Sequence, residues 1–222
     1  MVRFAWPLMQ SLAVLLWCCC CSSRAGGVAS EAQWIAAAAR AVDYGRAHGM
    51  PISLDVLAGN GLPGHTPIGL ASENGSCTLV VSVRDNPTAD KLSAMIPPEV
   101  LQLFLDGAAM HEVGHCHRRL RGYPHNERLL PIVAWITPVR DWFARRVRAE
   151  EAYADMVEVA WLARHHPERF HELVAHIVKV RTRFREPRHD TLRWLDAALS
   201  HGPVDDGGDV FALADQLMAR YR

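Results

Sequence analysis

Lysine is almost missing from this chain: of the 24 basic residues among 222, only Lys91 and Lys179 are lysines. That bias matches a bacterial genome rich in G and C and says nothing about chemistry. Net charge is missing too. The 24 basic residues are balanced by 24 acidic ones, which removes any global electrostatic case for nucleic acid or an anionic membrane as partner. Glycine and proline are too scarce for a collagen-like or low-complexity chain, and the 50% hydrophobic content is too high for intrinsic disorder. Beyond the N-terminus no apolar run is long enough to cross a bilayer. Cysteine is nearly absent from the body of the chain, where only Cys77 and Cys116 lie. What remains suits one globular domain of ordinary size with a targeting segment in front of it.

Residues 4–21 are apolar apart from Gln10 and Ser11, with Arg3 before them and Arg24 after. A basic start, an apolar core and then small residues read as a secretory signal, with cleavage after Ala25 or Ser30. Two other readings stay open. The run Cys18, Cys19, Cys20, Cys21 offers an acceptor for lipid attachment, best at Cys19, and the apolar stretch is near the length of an uncleaved anchor. All three readings put residues 31–222 outside the cytoplasm, in the periplasm or beyond. Residues 1–30 hold Arg3, Arg24 and no acid, so the remainder is still near neutral. In an oxidising compartment Cys77 and Cys116 can pair, the alternative being two separate buried thiols.

The body predicts a mainly helical fold with a small sheet in its first third, an α+β domain. Residues 31–47 are alanine-rich and predict a helix. Short strands are expected around 52–57 and 68–71, and β-branched residues predict another over 77–84. Pro98 opens a long helix over 99–120. A short apolar helix over 129–136 follows, then a second long helix over 141–166, and further helices over 168–183, 191–200 and 210–221.

Within the first long helix stands His111-Glu112-Val113-Gly114-His115. Residues four apart share one helix face, about 5–6 Å apart at Cβ. Two imidazoles so placed can reach one Zn²⁺ at about 2.0–2.1 Å, and Glu112 can act as general base on a water in the open position. Gly114 is costly in a helix interior unless another backbone comes close. A third protein ligand is needed. Arg118 and Arg121 stand where metzincins carry glycine and histidine, which excludes that class. His117 points to a different face, and His125 has no supporting pattern. The second long helix offers Glu150-Glu151-Ala152-Tyr153-Ala154-Asp155. There Glu151 and Asp155 share a face, and small Ala154 permits close helix approach. Glu151 is the candidate third ligand, with Asp155 orienting His111 or His115. Glu150, about 100° round the helix, is its competitor. A bridge from Cys77 to Cys116 would tie the predicted 77–84 strand to the metal-bearing helix.

HExxH followed on a later helix by Glu-x-x-Ala-Asp resembles the gluzincin metallopeptidases, in particular membrane-associated and periplasmic bacterial ones. The matching residues are His111, Glu112, His115, Glu151, Ala154 and Asp155, and the resemblance covers roughly residues 77–165. It implies a zincin-like domain over 31–222, a Zn²⁺ cofactor and endopeptidase activity on peptide or protein substrates. It also implies a strand beside the active-site helix that binds extended substrate, by position residues 77–84. Such peptidases carry a downstream His-Pro and an arginine. Here Arg188-His189-Asp190-Thr191-Leu192-Arg193 has Asp190 in place of the proline. His189 is the candidate oxyanion stabiliser, with Arg193 and Tyr153 behind it. The leading expectation is an exported zinc metallopeptidase; the alternative is a zinc-bound envelope adaptor without turnover.

Overall fold

The computed structural model describes residues 27–59, 61–62, 66–123, 137–187, 189–204 and 207–221. The apolar segment over 4–21, His125 and the short helix expected over 129–136 lie outside the described residues. The rest is mainly helical with one three-stranded sheet.

Helix α1 (Glu31–Ala47) starts at Ser30, whose side chain accepts from the Gln33 backbone while the Gln33 side chain reaches back to the Ser30 N–H. This capping box satisfies two of the N–H groups a helix start leaves open. Trp34, Ala37, Ala38, Ala41 and Val42 then line one buried face. The sheet is built from β1 (Ile52–Val56), β2 (Ile68–Glu73) and β3 (Ser76–Val81) in the order β1-β3-β2. Asn74 and Gly75 join β2 to β3 with φ of 51° and 78°. Both positive values suit a two-residue hairpin turn, for which Asn-Gly is the preferred pair.

One expectation is corrected here. Residues 77–84 were assigned to a strand that binds substrate, but β3 is the central strand, parallel to β1 and antiparallel to β2. Its backbone groups are spent on both neighbours, so it has no edge to offer. Among the described strands the edges are β1 and β2, and β2 is the one that packs most closely on the metal-motif helix. Helix α2 (Pro87–Ser93) was not anticipated either. Asn86 caps it through its side chain, and Pro87 occupies the first turn.

Helices α3 (Pro98–Leu120) and α4 (Thr137–His165) form the central pair. α1 and the sheet cover α3. α5 (Phe170–Arg183), α6 (Leu192–His201) and α7 (Val210–Arg220) pack around α4. Gly114 lets the central pair touch: a Cβ there would stand 3.0 Å from the Ala154 Cα and 3.1 Å from the Val157 Cβ. Cys77 of β3 and Cys116 of α3, both buried, form a disulfide with Cα atoms 5.9 Å apart, clamping the middle of the sheet to α3.

Gly114→Ala is expected to lower stability by about 1 kcal/mol or more, overpacking outweighing the gain in helix propensity; an unchanged urea midpoint would contradict the close approach. The bridge closes a loop between cysteines 39 residues apart. Replacing both cysteines by alanine is expected to cost about 2–5 kcal/mol in the same denaturation.

Candidate metal centre

The site lies where α3, α4 and α5 meet. α3 contributes His111, Glu112 and His115, α4 contributes Glu151, Asp155 and Glu158, and α5 contributes Arg181. Three side chains converge at its centre, Glu151 facing one imidazole with each of its oxygens. His111 Nε2 lies 3.1 Å from His115 Nε2 and 3.5 Å from Glu151 Oε2, and His115 Nε2 lies 3.6 Å from Glu151 Oε1. A tetrahedral ion bound at about 2.0–2.1 Å has donor-to-donor edges of about 3.3 Å. The separations are of that order, and a buried His/Glu/Asp group of this kind could hold a metal ion.

Behind the triangle sits Asp155, with no solvent exposure. His111 Nδ1 lies 2.9 Å from Asp155 Oδ1, so the ring donates there and keeps Nε2 turned to the centre. Arg181 donates to the same oxygen and Thr191 Oγ1 to the other. Burial works against a charge on Asp155, but Arg181 and His111 prevail and hold its carboxyl down at about 2. Arg181 Nη2 also lies 3.8 Å from Glu151 Oε2. Burial likewise opposes ionisation of Glu151, and His115, His111 and Arg181 reverse this and keep its carboxyl well below the ordinary value. Burial disfavours a proton on His111, yet Asp155 and Glu151 carry the ring up to about 10.

Glu112 follows His111 on α3 and lines a cavity with it. Burial, helped by Glu151, pushes its carboxyl up to about 7 against the pull of His111. Glu158, also lining that cavity, is pushed up to about 8, chiefly by burial, with Asp155 and Glu112 adding and His111 and Arg181 opposing.

The structure thus brings together His111, Glu112, His115, Glu151 and Asp155, and Asp155 serves His111. His189 stands at the rim, Nε2 3.9 Å from Glu151 Oε1 and the side chain 41% exposed. Several alternatives lie elsewhere. Glu150 is paired with Arg118 at 3.0 Å. His117 bonds the Tyr153 hydroxyl at 2.7 Å and stacks on Phe211, which takes both His117 and Tyr153 away from the centre. Arg193 lies over the Trp194 ring in a separate cavity that it shares with Arg145, Arg148 and Arg185.

Sequence reasoning missed Arg181 and Glu158. A signal for Arg181 was available. Phe170, Leu173, Val174 and Ile177 form the buried stripe of α5, and the next position on that stripe is Arg181. A cation in line with an apolar face has to meet a buried anion.

No protein-family model, curated protein or solved structure matches the chain.

The purified protein is expected to bind one Zn²⁺ per chain, measured by competition with a chromophoric chelator. His115→Ala and Glu151→Ala should abolish binding. Asp155→Asn should keep the stoichiometry but weaken affinity about 10–100-fold; unweakened binding would sink the orienting role of Asp155.

Proposed function

We propose that this chain is an exported zinc metallopeptidase of the zincin type, related in mechanism to the gluzincins, with His111, His115 and Glu151 holding the ion. The observation that carries the reading is the convergence of His111, His115 and Glu151, the imidazoles 3.1 Å apart and each within 3.6 Å of a Glu151 oxygen, with Glu112 next to His111 on the same helix. A bound Zn²⁺ would polarise a peptide carbonyl and make a nearby water more acidic.

The chain's own groups do the rest. Glu112, with a proton affinity near neutrality, can take a proton from the attacking water and return it to the leaving amine. Asp155 holds His111 in one tautomer, and Arg181 and Thr191 hold Asp155. His189, half-exposed at the rim near Glu151, suits a donor to the developing oxyanion. β2 is an edge strand packed on α3, and Arg119 Nη1 ties the end of α3 to it through a 2.7 Å bond to Ser72 Oγ. Among the described strands its outer edge has no neighbour, and we assign to it the pairing with an extended peptide first expected of residues 77–84.

Export is supported by the Cys77–Cys116 bridge, since such bonds persist in oxidising compartments. Among the described residues no helix is long and apolar enough to cross a membrane. Attachment, if any, would run through the N-terminal segment.

Glu112→Gln is expected to keep zinc and fold while lowering turnover about 100- to 10,000-fold. The check is a peptide-library digest of the wild type and the variant, read by mass spectrometry with and without a chelator. Cleavage that survives the substitution would refute the mechanism; zinc binding with no cleavage of any peptide would favour a binding protein.

A further inference from the structure

Beside the candidate centre lies a cavity of about 160 Å³, with His111 and Glu112 on one side. Its walls are apolar and aromatic: Trp34 from α1, Ile68 at the start of β2, Phe104 from α3 and Ile177 from α5. Two carboxylates enter this lining, Glu112 beside the candidate centre and Glu158 deeper among the apolar walls. Glu158 is only 4% exposed, and it accepts no hydrogen bond and forms no ion pair with any described residue. Buried carboxylates are normally paired. Arg181 also borders the cavity, but it is already committed to Asp155. Room for the Glu158 carboxylate exists because residue 107 has no side chain: a Cβ on Gly107 would stand 2.9 Å from Glu158 Oε1.

We propose that this cavity is the subsite for a long basic side chain, lysine or arginine, of the peptide whose bond is presented to Glu112. The proposal rests on the peptidase reading and names its substrate preference. The apolar walls cover the methylene stem, as amphipathic side chains require. Trp34 and Phe104 in the wall add aromatic rings, which attract cations. Glu158 supplies a carboxylate that no described residue hydrogen-bonds, with His111 and Arg181 acting on it only from longer range. A neutral amide is the rival guest, because Trp34 Nε1 is also buried without an acceptor.

The test separates the subsite from catalysis. n-Butylguanidinium and neutral butyramide are titrated into the zinc-loaded full chain and followed by NMR. The cation is expected to bind at least tenfold more tightly, the advantage being lost in Glu158→Gln and reduced in Gly107→Ala, which displaces the carboxylate but keeps its charge. Both variants are checked for fold by circular dichroism. Butyramide binding as tightly as the cation, no binding of either probe, or an advantage that survives Glu158→Gln would overturn the proposal. Peptides carrying arginine or methionine beside the scissile bond give the second arm, with at least a tenfold preference for arginine expected in the wild type and flattened in Glu158→Gln. Cleavage without that preference sinks the subsite and spares the peptidase. Cation binding with no cleavage does the reverse.

Discussion

A carboxylate with no access to water has to find all its partners inside the protein, and Asp155 is that carboxylate. It sits on α4 and is met by His111 from α3, Arg181 from α5 and Thr191 at the start of α6. Removing a full charge from solvent is costly unless every lone pair is met. Satisfying Asp155 therefore sets the rotation and depth of three elements against a fourth. The close seam at Gly114 and Ala154 makes this possible, since any side chain at 114 would hold α3 off and lengthen the His111–Asp155 contact.

The same constraint shapes the chemistry. His111 is anchored through Nδ1 on Asp155, which turns Nε2 toward His115 and Glu151, with Arg181 alongside the ring. Arg181 balances Asp155 and lies near Glu151, so these two carboxyls are held low despite burial. At Glu112 burial and Glu151 outweigh the pull of His111, Arg181 and Arg119, and its carboxyl is pushed up to about 7. Neighbouring carboxyl groups thus differ in proton affinity through their surroundings alone. On the far side of α3, the Cys77–Cys116 bridge joins the residue next to His115 to the middle of the sheet, so the metal-motif helix is held from both faces.

Much of the helical scaffold was legible because it rests on local rules. Pro98 at a helix start, the alanine-rich α1 and the spacing of His111 and His115 each act within a few residues. The Asn86-Pro87 cap of α2 and the Asn74-Gly75 turn were equally local and went unread. The order of the sheet was another matter. The β-branched residues of β3 mark a strand, but they do not say whether its neighbours lie on one side or both, so its central position emerged only with the pairing.

By itself the sequence determined the donor types and their helical spacing: two imidazoles and a glutamate on one turn of α3, two acids on one turn of α4. It also limited the third ligand to a short list. Tertiary structure alone decided that Glu151 and not Glu150 faces the imidazoles, that Asp155 serves His111, and that Arg181 and Glu158 join them. Spacing along one helix is a local property of the backbone. The rotation of one helix against another is decided by packing and by the pairing of buried charges, which no single segment contains.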